Sequence, residues 1–249
     1  KPVLKQFDEY LRVVLYGAAP MDKATIQWYN NLGIELIQGY GLTESSPVLT
    51  AESSERKRAG SIGIPLKNVE IKIDNPDKDG VGEIMAKGPN IMLGYYENEE
   101  AKKKALEDGW LHTGDYGYID EDGFTFVTGR KSDIIVLRNG KNIYPQEIEF
   151  LINKLQYVDE CMVYSREKTK TDTLLCAKIV YNKENIVDQF GEKSGEEYEK
   201  LIWQDIKEIN KDLPTYKHIK EIIVTDEPLE KTTTQKVKRY VEMKKMESK

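Results

Sequence analysis

The 249-residue sequence predicts a mixed α/β region followed by a smaller α+β region. Near the start, two short apolar runs typical of buried strands enclose a segment with the length of a helix, as in open α/β sheets. From Gly60 onward, short strands and frequent glycine turns indicate a small distorted barrel or a curved sheet. The last part alternates helices and strands over about 110 residues, which suits one compact domain. We expect the first region to span residues 1–130 and the second to span residues 131–249.

The composition indicates a globular chain, with 39% hydrophobic and 32% charged residues. The formal net charge of -6 argues against binding to nucleic acid or acidic membranes by bulk electrostatics. No apolar run approaches the roughly 18 residues that a membrane-spanning helix needs. Cys161 and Cys176 lie in apolar, strand-like runs. We expect buried thiols in a reducing cytoplasm, with a disulfide as the alternative.

Apolar runs and capping residues define the first elements. Leu11–Tyr16 predicts a buried strand. Asp22 is placed to cap a helix over Lys23–Leu32, which Gly33 ends. Ile34–Gln38 predicts the next buried strand. Ligands of open α/β sheets collect at the carboxyl ends of such strands, so the residues that follow are candidates for a binding site.

Alternation and turn residues predict the curved sheet. Val69–Ile73 alternates polar and apolar residues, and Gly82–Gly88 has the composition of another short strand. The turn Asp120-Glu121-Asp122-Gly123 between two short apolar runs predicts a β-hairpin. One helix is expected over Glu99–Leu106, with Asn98 before it.

The second region contains two predicted amphipathic helices. Pro145–Gln156 carries an apolar stripe at helical spacing. Ser194 and Glu197 form a capping box at the start of a longer helix that ends near Leu213. The charged tail after Arg239 is expected to fray. Strands are predicted at Glu160–Tyr164, Thr173–Tyr181 and Ile219–Val224.

The run QGYGLTES, residues Gln38–Ser45, combines groups that suit a nucleotide and a metal ion. Its two glycines allow a ligand to approach the main chain closely. Thr43 offers a hydroxyl for a phosphate oxygen, and Glu44 offers a hard oxygen ligand for magnesium. Tyr40 offers a flat face for a base or an acyl chain. The simpler alternative is a glycine turn followed by a capped loop.

Four further clusters carry similar chemistry. The small side chains of Gly17-Ala18-Ala19-Pro20 leave room for a flat heterocycle. Asp115 can accept two hydrogen bonds from vicinal ribose hydroxyls, and Arg130 can reach ribose or phosphate oxygens with its planar fork. Lys236 lies in a polar, basic run from which a mobile lysine can approach developing phosphate charge. Taken singly, each cluster also fits an ordinary turn, a surface cation or a solvated loop.

The order and spacing of these clusters resemble the AMP-forming acyl-adenylate superfamily, which includes acyl- and aryl-CoA synthetases, firefly luciferase and peptide-synthetase adenylation domains. The motifs QGYGLTES, DGWLHTGD, GRKSD and NGKNIYPQEIE carry the resemblance, which extends from about Leu11 to Arg239. It implies that residues 1–130 are the C-terminal portion of a large domain, with parallel-type strands and the small barrel. Residues 131–249 would be the small, mobile α+β domain that carries the catalytic lysine.

The resemblance also implies residue roles. Thr43 would hold a phosphate and Glu44 a magnesium ion. Lys236 would bridge the substrate carboxylate and the α-phosphate. Asp115 would bind the ribose hydroxyls, with Arg130 close by. Gly17, Ala18 and Ala19 would line the adenine and acyl pocket, Tyr40 would stack near adenine, and Gly39 would border the acyl tunnel. Gly41 would also belong to the cofactor-binding residues, and the loop around Gly140 would be presented to the thiol tunnel.

The implied reaction begins when the carboxylate of an acid attacks the α-phosphorus of ATP and expels pyrophosphate. Mg²⁺ and Lys236 would offset the charge that builds on the phosphates. The acyl-adenylate would then react with a thiol, which we expect to be coenzyme A. Between the two steps the small domain would rotate in a hinge-type motion.

The sequence departs from the family pattern at several positions. Ser132 stands where relatives usually carry Asp or Lys at the hinge. Val136 replaces a common Lys, and Gln235 replaces the glycine that usually precedes the catalytic lysine. The run Asn139-Gly140-Lys141-Asn142 looks like the long-chain fatty-acyl-CoA synthetase branch. We therefore expect a long-chain fatty acid as the substrate.

The phosphate loop of the family, rich in Ser, Thr and Gly, precedes QGYGLTES in relatives and has no counterpart in this sequence. The chain also starts abruptly at Lys1. We expect it to be the C-terminal part of a longer enzyme whose N-terminal part completes the site, and to be inactive alone. Two alternatives stay open: delivery of the acyl group to a carrier protein, and a non-catalytic nucleotide-binding module.

Overall fold

The computed structural model describes residues 10–17, 21, 23–138, 140–169, 172–233 and 236–247. The chain forms two compact units, Lys1–Ser132 and Asp133–Lys249. Each unit has a hydrophobic core of its own. The mixed fold class predicted from the sequence is confirmed, with α/β and curved-sheet elements first and an α+β unit last.

The first sheet of the Lys1–Ser132 unit combines a parallel pair of strands with two antiparallel additions. The parallel pair and its connecting helix are the elements predicted at the start of the sequence. The prediction that the first strand is buried was wrong, because this strand lies at the edge of the sheet and leaves Val13 and Leu15 43% and 75% exposed. The elements are β1 (Val13–Tyr16), α1 (Lys23–Asn31), β2 (Glu35–Gly41), β3 (Val48–Ala51) and β4 (Ile64–Pro65).

Strand β2 extends further than the sequence predicted, because Gly39 and Tyr40 pair with Ala51 and Thr50 of β3. The first half of QGYGLTES is therefore strand rather than turn. The second half forms a short 3-10 turn over Thr43–Ser45. The predicted cap Asp22 and the predicted pocket residues Ala18 and Ala19 lie outside the described residues.

The second sheet of this unit is antiparallel and contains five strands. Register shifts between the strands Gly82–Lys87 and Trp110–Ile119, and between Trp110–Ile119 and Thr125–Arg130, bend the strands, and the sheet curls into half a barrel. The predicted hairpin is confirmed at the β8–β9 turn. The elements are β5 (Glu70–Asp74), β6 (Gly82–Lys87), α2 (Glu99–Ala105), β7 (Leu106–Glu107), β8 (Trp110–Ile119) and β9 (Thr125–Arg130).

The Asp133–Lys249 unit is a three-stranded sheet packed against helices, preceded by a short hairpin. The predicted capping box of Ser194 and Glu197 is present at the start of α5. Isoleucine and valine side chains form most of the core, to which the helices Pro145–Ile152 and Gly195–Lys211 and the strands Val158–Thr169 and Asp172–Tyr181 contribute. The elements are β10 (Ile135–Val136), β11 (Asn142–Ile143), α3 (Pro145–Ile152), β12 (Val158–Thr169), β13 (Asp172–Tyr181), α4 (Lys183–Phe190), α5 (Gly195–Lys211), β14 (Glu221–Thr225) and α6 (Arg239–Glu247).

Two helices of this unit differ from the sequence prediction. Helix α4 was not expected, because Ile186 is its one fully buried residue and most of its other residues are polar. The expectation that the tail after Arg239 frays was wrong, because this segment forms α6. Met243 and Met246 of α6 pack against a second apolar cluster of the sheet, and the carboxylate of Glu242 is buried.

Both cysteines are buried free thiols, as the sequence predicted. Burial raises the pKa of both, to about 11 for Cys176. Neither is therefore a thiolate at neutral pH, which makes both poor nucleophiles. Among the described residues, no helix combines the length and the apolar character needed to cross a membrane.

Candidate functional site

Asp115 is the centre of a polar cluster in the Lys1–Ser132 unit. It lies on β8 and is 6% exposed. Its Oδ2 accepts a hydrogen bond of 2.6 Å from the phenol of Tyr40. The Nε of Arg130 lies 3.1 Å from its other oxygen, Oδ1. The structure thus brings together three residues that the sequence analysis selected from separate motifs.

The strand register places Arg130 beside Asp115. The two residues are direct partners across the β8–β9 ladder, and opposite residues of an antiparallel pair share one face of the sheet. Arg130 Nη1 also donates to the Thr113 carbonyl oxygen at 3.1 Å. The hydroxyl of Thr113 accepts a bond of 3.1 Å from the Asp115 amide. Side chain and backbone of Asp115 are both fixed in this way.

The electrostatics of the cluster define its donors and acceptors. Burial, and then the neighbouring Asp115 carboxylate, raise the pKa of the Tyr40 phenol far above its usual range. Tyr40 therefore donates and Asp115 accepts at neutral pH. A carboxylate offers about four lone-pair sites. That number suffices to hold Tyr40 and Arg130 and to accept the vicinal hydroxyls of a ribose.

The glycines near the end of β2 differ in the space around them. A Cβ on Gly41 would lie 1.7 Å from the Pro47 carbonyl oxygen, so this position requires glycine. A Cβ on Gly39 would have its nearest neighbour at 3.8 Å, which is an ordinary contact. A Cβ on Gly17 would lie 2.8 Å from the Gly39 carbonyl oxygen. Gly17 and Gly39 therefore form a corner of bare backbone at the carboxyl ends of β1 and β2.

Thr43 and Glu44 follow directly on the 3-10 turn, where Thr43 is exposed and Glu44 half-buried. Glu44 Oε1 accepts a hydrogen bond of 2.9 Å from the Tyr95 phenol, and the Glu44 carbonyl oxygen accepts one of 2.8 Å from the Met92 amide. These contacts orient the carboxylate. Tyr95 was not predicted as a site residue, although its position in a Gly-Tyr-Tyr run after a turn is a weak signal of a functional aromatic.

Glu44 is also the residue predicted to hold magnesium. Within the described ranges there is no group of three or more His, Cys, Asp or Glu side chains that could hold a metal ion. Mg²⁺ is commonly bound by one or two carboxylates together with the phosphates of a substrate and several waters. A single half-buried carboxylate beside an exposed hydroxyl fits that mode, in which the nucleotide supplies the remaining oxygens.

Glu83 on β6 supports the Asp115 cluster and was missed in the sequence. It is 4% exposed. Its Oε1 accepts a bond of 3.2 Å from the Gly114 amide, and its Oε2 accepts one of 2.6 Å from Lys131. Burial alone would raise the pKa of Glu83, but hydrogen bonds from Lys131 and His112 outweigh it and lower the pKa. The ionised carboxylate thereby fixes Gly114, the residue before Asp115. Gly114 has a left-handed φ of +69°.

Lys236 lies in the Asp133–Lys249 unit, on a loop that is closed at its base. An isolated bridge pairs Lys231 with Val237 across the loop. Thr232 Oγ1 accepts a bond of 3.1 Å from the Lys236 amide, and the Thr232 amide donates to the Lys236 carbonyl oxygen at 2.8 Å. The Lys236 side chain is exposed. Gln235, its sequence neighbour, lies outside the described residues.

Gly140 lies in the connection between β10 and β11 of the same unit. Its amide donates to the Leu137 carbonyl oxygen at 2.8 Å, and the Leu137 amide donates to the Lys141 carbonyl oxygen at 2.9 Å. Gly140 has a left-handed φ of +76° and no atom within 4 Å of an added Cβ. It therefore forms an exposed turn that favours glycine for conformational rather than steric reasons.

Comparisons with known proteins cover both units. One family model, described as AMP-binding enzyme, matches residues 2–96, and a second, described as AMP-binding enzyme C-terminal domain, matches residues 132–249. A 2-succinylbenzoate–CoA ligase of Listeria innocua is 37% identical over 231 residues, which are 92% of this chain and 45% of the relative. A long-chain-fatty-acid–CoA ligase of Yersinia pestis is 40% identical over 149 residues, 57% of this chain and 26% of the relative.

A solved structure of O-succinylbenzoate coenzyme A synthetase from Bacillus subtilis, in complex with ATP and magnesium ion, is also similar. It superposes with a TM-score of 0.76 and 30% identity, over 96% of this chain and 49% of that one. The chain thus spans about half the length of the Listeria innocua relative and of this structure. Because the two family models together cover most of both units, the chain belongs to the AMP-binding enzyme superfamily.

Proposed function

We propose that this chain carries the nucleotide-ribose site and the catalytic lysine of an AMP-forming acid–thiol ligase. The observation that supports the proposal most strongly is the buried Asp115, with Tyr40 at 2.6 Å and Arg130 at 3.1 Å. Asp115 is a carboxylate that Tyr40 and Arg130 orient before any ligand arrives. Such preorganised hydrogen bonding suits the recognition of a diol on a nucleotide.

The phosphates and the metal ion would lie next to the 3-10 turn. In this proposal Thr43 binds a phosphate oxygen, and Glu44 binds Mg²⁺ together with phosphate oxygens of ATP. Mg²⁺, when bound, supplies charge neutralisation on the phosphates. The adenine and the start of the acyl chain would lie along Gly17, Gly39 and Tyr40, where the backbone is bare. The choice of ATP and Mg²⁺ as ligands is supported by the similar Bacillus subtilis structure, which is in complex with ATP and magnesium ion.

Residues 131–249 would act as the small domain and residues 1–130 as part of the large one. Lys236 would donate to the substrate carboxylate and to the α-phosphate while the acyl–phosphate bond forms and pyrophosphate leaves. The turn at Gly140 would be presented to the thiol of coenzyme A in the second step. The phosphate loop expected for the family would come from residues outside 1–249.

The acid is the finer part of the proposal. The relatives named 2-succinylbenzoate–CoA ligase support 2-succinylbenzoate, an aromatic dicarboxylate, as the first candidate. The long-chain expectation, which rested on the Gly140-Lys141-Asn142 run, has weaker support. A long-chain fatty acid stays the second candidate, because the Yersinia pestis ligase matches a shorter part of the chain.

The test is acid-dependent exchange of pyrophosphate into ATP by the complete product of the gene, with chain 1–249 assayed beside it. The acids are 2-succinylbenzoate, benzoate and palmitate. We expect exchange by the complete product with 2-succinylbenzoate and little exchange by chain 1–249. Exchange with palmitate alone would select the second candidate. The absence of acid-dependent exchange with any acid of a broad panel would contradict the proposed function.

The thiol acceptor is tested separately, by supplying acyl-adenylate together with either free coenzyme A or a phosphopantetheine-bearing carrier protein. We expect transfer to free coenzyme A. A strong preference for the carrier protein would mean that adenylation occurs as proposed but that the product is an acyl thioester of the carrier protein. Tight AMP binding by a gene product that shows no exchange would instead favour a non-catalytic nucleotide-binding module.

A further inference from the structure

Arg239, three residues after Lys236, is the most connected cation of the Asp133–Lys249 unit in the part of the chain that the structure describes. Its Nη2 lies 2.5 and 2.6 Å from the two carboxylate oxygens of Glu149. Its Nη1 donates to the Val163 carbonyl oxygen at 2.9 Å, and its Nε lies 3.2 Å from Asp133 Oδ2. The nitrogens of the guanidinium are thus directed at three different segments.

Two of these segments, at Asp133 and Glu149, have a place in the proposed cycle. Asp133 is the first residue of this unit, and its carboxylate also accepts a bond of 2.7 Å from Gln146. Glu149 lies on α3, which follows directly after β11 of the Gly140 hairpin. It is 8% exposed and accepts a further bond of 2.7 Å from the Val163 amide. Arg239 therefore connects the start of the unit with α3, the helix that directly follows the Gly140 hairpin.

The opposite end of the Lys236 loop is held as well. The Lys231 Nζ lies 2.5 Å from Glu160 Oε1, and the Leu229 amide donates to Glu160 Oε2 at 2.9 Å. Between these anchors, Thr232 bonds to both the amide and the carbonyl oxygen of Lys236. The position of the exposed Lys236 is thus set by anchors on both sides, and Arg239 is the anchor on the C-terminal side.

We propose that Arg239 is a positioning residue that joins the Lys236 loop, the first residue of the unit and the helix after the Gly140 hairpin into one rigid body. The inference rests on the proposed function in assigning Lys236 to adenylation and Gly140 to the thiol step. Its consequence is that the two loops move together, so that displacement of one from a ligand displaces the other by a fixed amount.

An ordinary stabilising ion pair would have a different effect. Its loss would lower global stability and accelerate amide exchange evenly over the unit. A positioning role predicts that exchange changes locally, at the amides whose geometry depends on the anchor. The structure offers two reporters: the Lys236 amide, bonded to Thr232 Oγ1, and the Gly140 amide, bonded to the Leu137 carbonyl oxygen.

The first experiment is native-state hydrogen exchange on chain 1–249, comparing Arg239→Gln, Arg239→Lys and Lys238→Gln. Lys238 directly follows the Lys231–Val237 bridge that closes the loop, and the described residues provide no ion-pair partner for its ammonium, so Lys238→Gln controls for loss of charge. We expect Arg239→Gln to accelerate exchange at Lys236 and Gly140 about tenfold more than at amides of β13. Arg239→Lys should be intermediate, since it keeps the charge and loses the fork. Lys238→Gln should change neither.

The second experiment measures the complete product of the gene. We expect Arg239→Gln to reduce both pyrophosphate exchange and thioester formation from supplied acyl-adenylate by about tenfold, because both loops lose their anchor. Lys238→Gln should leave both within about twofold. Rescue of most of the activity by Arg239→Lys would agree with positioning by charge and partial geometry.

The inference is overturned if Arg239→Gln folds normally and leaves exchange at Lys236 and Gly140 unchanged. If Arg239→Gln does not fold, Asp133→Asn removes one of the contacts at the surface of the cluster, and the same local acceleration is expected. An acceleration of amide hydrogen exchange in Asp133→Asn that is uniform over the unit would also overturn the inference. Absence of acid-dependent activity in the wild type would contradict the proposed function. The positioning role of Arg239 would then be decided by the amide hydrogen exchange experiment alone.

Discussion

Asp115 and Lys236 are carried by two different kinds of scaffold. Asp115 is 6% exposed, lies within a β-ladder and has its partner Arg130 fixed by register. Lys236 is exposed on a loop that is closed at its base and anchored on both sides. A group that recognises a constant feature such as a ribose gains from a rigid sheet. A group that must be present in one step and absent in the next gains from a loop whose anchors move as a body.

The comparison predicts that the sheet scaffold is intolerant of small changes where its strands meet. Gly41→Ala would place a Cβ 1.7 Å from the Pro47 carbonyl oxygen. We expect the free energy of unfolding to fall by about 3 kcal/mol, because the backbone must shift. Urea unfolding measures it. Gly39→Ala is the matched control, since its Cβ has 3.8 Å of space. Equal losses in both variants would show that the strand end is not rigid.

Near the Lys236 loop, the buried carboxylate of Glu242 in α6 is expected to stabilise the unit in a pH-dependent way. Burial alone would raise the pKa of Glu242, but bonds from Lys178, the Glu230 amide and Lys245 outweigh it and lower the pKa from 4.5 to about 2. Because the folded-state pKa is the lower one, this stabilisation is complete above pH 4.5 and is lost as the pH falls toward 2.

The Glu242→Gln variant measures that anchor. We expect it to be less stable than the wild type by about 2 kcal/mol at pH 6. The difference should shrink as the pH falls through the window from 4.5 to about 2. Denaturant unfolding at a series of pH values gives the two curves. Parallel curves over that window would contradict the role of the ionised carboxylate.

Within the Asp115 cluster, the two partners of the carboxylate can be separated. Asp115→Asn removes the charge that Arg130 and Tyr40 face, and we expect the free energy of unfolding to fall by about 1.5 kcal/mol. Tyr40→Phe removes one hydrogen bond and should cost about 1 kcal/mol. AMP affinity of the complete product, measured by calorimetry, should fall more for Asp115→Asn than for Tyr40→Phe. The reverse order would mean that Tyr40, not Asp115, binds the nucleotide most directly.

The smallest expected effect concerns the loop itself. Thr232→Val removes the hydroxyl that accepts the Lys236 amide at 3.1 Å. Since the loop is partly solvated, water can replace this bond, and we expect a loss below about 0.5 kcal/mol. Amide exchange at Lys236 should still accelerate. A large loss of global stability would show that the loop belongs to the core of the unit rather than to its surface.

The sequence predicted the elements well where periodicity was strong, and less well where tertiary partners decide the structure. The parallel pair β1–β2, the β8–β9 hairpin and the capped helix α5 follow from local pattern. Helix α6 does not, since its charged residues have the pattern of a solvated tail. It is ordered because Glu242 meets Lys178 at 2.7 Å on β13, a partner distant in sequence.

The candidate site was predicted as a set of residues but not as a geometry. Tyr40 was assigned to stacking with adenine, and its hydrogen bond to Asp115 spans 75 residues of sequence. That contact depends on how two sheets meet, which no local pattern contains. Glu83 escaped notice for a related reason. A carboxylate inside a short strand is usually on the solvent side, and only the presence of Lys131 and His112 makes its burial favourable.

The most direct test of this account is a separation of the two half-reactions in the complete product of the gene. Lys236→Ala is compared with Lys238→Ala, a change in the lysine that directly follows the Lys231–Val237 bridge. We predict that Lys236→Ala lowers acid-dependent pyrophosphate exchange by about 100-fold or more and leaves thioester formation from supplied acyl-adenylate largely intact. Lys238→Ala should alter neither step. Pyrophosphate exchange that survives in Lys236→Ala would contradict the account.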